Sequence, residues 1–131
     1  WSNAVFITTS ENNPIPLYQQ IVDQIRSQIM IGELRAGDSL PSIRQLAKDL
    51  TTIVMTTKRA YHELEREGYI YTRPGKGSFV ASISPEKIEE LKRQVVSEHL
   101  RQAVKAAHVL GIEKNVLGEL LNKILKEMRY E

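Results

Sequence analysis

Apolar and polar positions alternate along the chain with two different periods, and the points where the period changes mark out its elements. After Pro16, Leu17, Ile21, Ile25 and Ile29 recur every fourth residue, one stripe of an amphipathic helix, and Gly32 suits its left-handed end. A turn at Gly37-Asp38 leads into "LPSIRQLAKDL". There Ser42 is placed to cap a second helix and Gln45, at the third helical position, to return the hydrogen bond of a capping box. Ile43, Leu46, Ala47 and Leu50 line one face of this helix, which spans about two turns. The helical period resumes a few residues later. At 100° per residue, Ile53, Thr57, Ala60, Tyr61 and Leu64 point to one side and are expected inside, and Gly68 ends the run. Met55, Thr56, Arg59, His62 and Arg66 lie opposite, with Val54 and Lys58 on the flank.

In "YIYTRPGKGSFVA" the period shortens. β-Favouring residues surround Pro74-Gly75-Lys76-Gly77, which predicts two short strands joined by a turn, with Ile70 and Phe79 facing inward. Ser84-Pro85-Glu86 then starts a helix as N-cap, first helical residue and acidic first turn. Its stripe runs through Ile88, Leu91, Val95, His99, Ala103 and Ala106 or Leu110, and stops at Gly111. A last helix, from Glu113 to Arg129, carries Val116, Leu117, Leu120, Leu121, Ile124, Leu125 and Met128, an apolar face wider than one neighbouring helix covers. A second copy of the chain is the expected cover, with Ile88, Leu91, Val95, Leu117, Leu120, Leu121, Ile124 and Leu125 as the dimerisation residues. The fold class expected is therefore mainly α with a small β-hairpin. A winged helix-turn-helix domain at 5–81 is followed by a two-helix dimerisation region at 82–131. Residues 1–4, Trp-Ser-Asn-Ala, read as the remnant of an expression tag.

Composition narrows the function. The 131 residues carry 18 Lys and Arg against 16 Asp and Glu, a net charge of +2 that does not by itself identify a polyanionic partner. Distribution says more: residues 44–76 hold seven basic groups and four acidic ones. There is no cysteine, which excludes disulfides and thiolate metal sites and fits the cytoplasm. No apolar run approaches the roughly 18 residues of a membrane span. His99 and His108 lie nine residues apart on one helix, about 180° around it, and cannot share a metal ion. The "GKGS" at 75–78 lacks the first glycine of a phosphate-binding loop and sits in a hairpin. No triad or paired-carboxylate arrangement is suggested, so neither an enzyme nor a cofactor is expected.

Three short helices and a hairpin are the layout in which the third helix enters a DNA major groove and the hairpin, the wing, reaches the neighbouring backbone. "PLYQQIVDQIRSQIMIGELRAGDSLPSIRQLAKDL" followed by "TTKRAYHELEREGYIYTRPGKGSFV" closely resembles the DNA-binding domain of GntR-family bacterial transcription regulators. The resemblance covers residues 14–81, and the short helical tail is similar to the YtrA-type subfamily. It implies double-stranded DNA and a second copy of the chain as partners. It also implies DNA-facing roles for Arg44 at the start of helix two, Thr56, Lys58 and Arg59 on helix three, Gly75 and Lys76 at the wing tip, and Ser42 as the helix-two cap. An arginine can grip a phosphate or read guanine, and an ammonium suits phosphate. Many relatives have glycine or lysine at 51 and a capping serine or asparagine at 53, where this chain has Thr51 and Ile53. Thr52 or Thr51 is then the expected cap, with the turn shifted by a residue. Val54 and Met55 replace often polar positions and favour contact with thymine methyl groups.

The expected function is a sequence-specific transcription regulator, a repressor acting as a homodimer on an inverted repeat. The alternatives are a weakly selective architectural DNA-binding protein and a winged helix used only for protein interaction. The sequence does not identify a small-molecule effector.

Overall fold

The computed structural model describes residues 7–130, so residues 1–4 of the supposed tag lie outside the described residues. Its elements are α1 (Leu17–Met30), α2 (Ile43–Asp49), α3 (Val54–Arg66), β1 (Ile70–Arg73), β2 (Gly77–Val80), α4 (Pro85–Val109) and α5 (Lys114–Glu127). The chain divides between Ile88 and Glu89 into two compact units.

In the first unit, the stripe of α1 does what its period dictates. Ile21, Val22, Ile25 and Ile29 of α1 are buried, as are Leu46 and Ala47 of α2, Ala60, Tyr61 and Leu64 of α3, and Ile70 and Val80 of the hairpin; α3 is the central element, packing on α1, α2 and β1. Each fully buried Ile or Leu side chain contributes about 1.5–3 kcal/mol, so this core is the principal source of the unit's stability. Phe79 is half-buried, not core, and stacks on Tyr71 with ring centroids 5.7 Å apart.

The hairpin is antiparallel, with Ile70 opposite Val80 and Arg73 opposite Gly77. Its turn is closed by the Lys76 amide donating to the Arg73 carbonyl at 2.9 Å. Pro74 sits second in this turn and Gly75 third, at φ 76°, the arrangement of a type II turn. The periodicity did not reveal a third backbone partner. Ser39 bridges antiparallel to Phe79, with Leu40 N donating to Ser78 O and Val80 N to Asp38 O, both at 2.9 Å. The α1–α2 connection thereby fastens β2 to the core.

The α2–α3 turn differs from the expectation. Leu50 ends α2, Thr51 takes a left-handed φ of 53°, and the amides of Thr51 and Thr52 donate to Lys48 O and Ala47 O at 3.1 and 2.9 Å. This is the Schellman closure that glycine usually makes. No residue shift occurs: Ile53 is the N-cap of α3, with φ −78° and ψ 150°, and no side chain caps the helix. Because Ile53 is extended, the helical wheel does not govern it. It is 67% exposed instead of facing inward. At α2 the capping box forms by half. Ser42 Oγ accepts from the Gln45 amide at 3.0 Å, while the Gln45 side chain donates forward to Asp49 at 2.7 Å.

Ser84 caps α4, its Oγ accepting from the Lys87 amide at 3.1 Å. In the second unit α4 departs from the predicted stripe. Ala107 is its buried residue, whereas Ala106 and Leu110 are exposed, and a further line of exposed apolar residues runs through Val96, Leu100 and Val104. α5 has no buried residue, and Leu120, Leu121, Ile124 and Leu125 are exposed in the single chain. Ile88, Leu91, Val95 and Leu117 are half-buried.

Candidate nucleic-acid interface

α3 owes its position to its inner face. Thr57, Ala60, Tyr61 and Leu64 are buried, and the Tyr61 hydroxyl donates to the carbonyl of Pro41 at 2.6 Å, fixing the start of α2 against α3. Burial pushes the Tyr61 phenol well above its ordinary range, because the phenolate would lose its water. At the far end the Gly68 amide donates to Glu65 O and the Tyr69 amide to Leu64 O. A left-handed Gly68, at φ 86°, makes this closure without strain.

With the inner face committed to the core, the outer face is left to the surroundings. Met55, Lys58, Arg59, His62, Glu63 and Arg66 line one shallow depression along α3. Met55 is 71% exposed and Val54, the first helical residue, 37%. Lys58 is exposed and has no hydrogen bond or ion pair among the described residues. Thr56 is half-buried, so it presents less of its hydroxyl outward than its helical position suggested. Arg59 does not simply project into solvent: its guanidinium carbon lies 3.7 Å from the ring centroid of Tyr18 on α1. Glu63 accepts from both Nε and Nη2 of Arg66. The Arg66 hydrogen bond, followed by the Arg66 charge, a hydrogen bond with Glu67 and lastly the Arg59 charge, holds its carboxyl below the usual carboxylate range.

Arg44 is the second residue of α2, exposed and without a hydrogen bond or ion pair among the described residues. Ser42 directly precedes this helix, its hydroxyl occupied by the cap. Gly75 and Lys76 are exposed at the tip of the hairpin, on an element separate from the α3 depression. The wing is attached to α3 by Glu65, whose carboxylate accepts from the Thr72 amide at 3.2 Å and the Thr72 hydroxyl at 3.1 Å.

The sequence reading missed Tyr18 and Glu65. Tyr18 follows the stripe residue Leu17 and carries no local mark of its partner 41 positions away. Glu65 looks like any solvated charge on a helix until the hairpin folds back on it.

Among the described residues there is no group of three or more His, Cys, Asp or Glu able to hold a metal ion. None of their helices is long and apolar enough to cross a membrane.

The profile of the bacterial regulatory proteins of the gntR family matches residues 17–80. The HTH-type transcriptional repressor YtrA of Bacillus subtilis is 34% identical over 114 residues, covering 87% of this chain and 88% of that protein. A GntR family transcriptional regulator from Listeria monocytogenes, 32% identical, superposes with a TM-score of 0.71 over 88% of this chain and 98% of its own. AraR(DBD), solved in complex with operator ORE1, is 25% identical with a TM-score of 0.50, over 58% of this chain and 93% of that one. The small two-helix tail, the five-helix order with its hairpin and these likenesses agree: the chain belongs to the GntR family, in its YtrA-type branch, and is a DNA-binding transcription regulator.

Proposed function

We propose that the chain acts as a homodimeric repressor in the cytoplasm, without enzymatic activity, and binds an inverted-repeat operator through two copies of α3. The observation that carries this is the outer face of α3, where Met55, Lys58 and Arg59 share one exposed depression while the opposite face is spent on the core. Val54 and Met55 meet thymine methyl groups, Thr56 a base edge or phosphate, and Lys58 a phosphate. Arg44 grips a phosphate or reads a guanine. At the wing Lys76 adds a phosphate contact and Gly75 lets the backbone come close. Phosphate contacts supply most of the affinity and the base edges most of the selectivity. Repression follows from occupancy when the site overlaps a promoter, a reading in keeping with the relative named as a repressor and the one solved on an operator.

The second copy is supported by the apolar residues that α5 leaves uncovered in a single chain, Leu120, Leu121, Ile124 and Leu125. Their burial between two chains would also set the spacing of the two α3 helices. The test is a gel shift comparing an inverted-repeat site, selected from random DNA, with its scrambled version at matched salt. Tighter binding of the intact repeat is expected, and equal affinity overturns sequence-specific recognition in favour of an architectural role. Lys58→Ala should weaken all sequences alike and lower the salt slope by about 1. A monomeric mass in sedimentation at micromolar concentration refutes the dimer.

A further inference from the structure

We infer that Tyr18 is a positioning residue for DNA recognition, holding the Arg59 guanidinium as a preset donor fork for a pair of acceptor oxygens or nitrogens on DNA. The inference rests on the proposed reading that the outer face of α3 meets DNA. Arg59 has an obvious intramolecular partner in Glu63, one helical turn along, the usual arrangement for an ion pair on a helix surface. That partner is taken: both carboxylate oxygens of Glu63 accept from Arg66. Arg59 has no ion pair or hydrogen bond among the described residues, and its guanidinium instead lies over the Tyr18 ring, 3.7 Å from the centroid.

A guanidinium lying over a ring uses its π face for the stack and keeps its N–H groups, which lie in its plane, free to donate. A long side chain is thereby fixed at two of the places where it would otherwise lose freedom on binding, its rotamers and its plane. The same plane is the one from which arginine makes two parallel hydrogen bonds, to two phosphate oxygens or to O6 and N7 of guanine. Tyr18 is half-buried at the start of α1, a helix packed by its other face into the core, so the ring is a fixed floor. The depression that Arg59 lines also holds Met55 and Lys58, which places the fork among the other candidate contacts.

The experiment is a double-mutant cycle read by DNA affinity and its salt dependence, on the full chain. Tyr18→Phe keeps the ring and should bind within about twofold of the parent, whereas Tyr18→Leu should lose roughly 3- to 10-fold, the freedom that an unstacked arginine gives up on binding. In an Arg59→Ala background Tyr18→Leu should have no further effect. Additive losses, or a Tyr18→Phe loss as large as that of Tyr18→Leu, would overturn the inference by making Tyr18 a DNA contact in its own right. Thermal melts of each variant separate loss of fold from loss of positioning. An Arg59→Ala protein that binds all sequences more weakly with a reduced salt slope assigns the fork to phosphate, and one that loses preference at a single base pair assigns it to guanine. Arg59→Ala without effect while Lys58→Ala weakens binding refutes this inference alone. If neither variant weakens binding, the α3 reading falls with it.

Discussion

Replacing Thr51 by glycine should make the protein more stable although it removes atoms from it. Thr51 stands at φ 53° between α2 and α3, a region where an L residue brings its Cβ against the following carbonyl at about 1–2 kcal/mol, and a β-branched one fits worst. Its side chain is exposed, so no core packing is lost. The amide contacts to Lys48 and Ala47 are backbone ones and survive. Against the relief stands glycine's larger loss of backbone entropy, about 0.5–1 kcal/mol. The net gain is about 0.5–1 kcal/mol, or about 3–6 °C in Tm for a domain of this size. Differential scanning calorimetry at one fixed protein concentration is the assay, since a self-associating chain melts higher when more concentrated. Thr51→Ala is the control: it removes the branch but keeps the Cβ and should gain less than glycine. A glycine variant that melts at or below the parent, or an alanine variant that equals it, refutes the strain argument.

Three further outcomes follow from residues of α3. Thr57 is fully buried with no hydrogen-bond partner for Oγ1 among the described residues, so the near-isosteric Thr57→Val should stabilise by about 1–2 kcal/mol in urea titration. A loss of stability would mean that the hydroxyl is satisfied. Tyr61→Phe leaves the Pro41 carbonyl unpaired and should cost about 1–2 kcal/mol near neutral pH. With the folded phenol held above its ordinary pKa, stability in the parent is full below about pH 10 and declines as the pH rises past it, because the unfolded tyrosine ionises first. The variant should lose this part of the alkaline dependence, and an unchanged pH profile would refute it. Glu65→Ala should remove about 1 kcal/mol of local stability from the wing, seen as about fivefold faster hydrogen exchange at the Thr72 amide. Unchanged exchange would show that the hairpin holds without α3.

The elements most legible in the sequence were those whose burial repeats along one segment. Ile21, Ile25 and Ile29 marked the core face of α1, and Pro74-Gly75 marked the wing turn, because local period and local turn chemistry are enough to specify them. Ile53 shows the boundary of that method. Extending the wheel of α3 back by one residue turned an exposed cap into a core position, since the period holds only where the backbone is helical. Ser39 and Tyr18 depend on partners far away in sequence, Phe79 and Arg59, and Glu65 on a residue of the hairpin that follows its helix, Thr72; pairings across elements leave no trace in the period of either one. For the candidate interface, the outward position of Met55 was readable as the complement of the core stripe of α3, whereas Arg44, Lys58 and Lys76 were singled out by the family resemblance. Reading Arg59 as merely outward missed the ring beneath it.

The hairpin is tethered along both of its edges. β1 is tied to α3 through Glu65 and Thr72, and β2 is bridged to the chain ahead of α2 through Ser39. A wing held this way is restrained against the third helix, and the two form the jaws of a caliper. On the proposed reading, the span from Lys76 to the outer face of α3 is then a length set by the protein, and the duplex must match it. Overwinding or underwinding a DNA segment changes the separation of its grooves, so such a caliper grips one superhelical state of the same sequence better than another. On that reading, the expected consequence is an occupancy that follows the torsional state of the bound site as well as its base sequence.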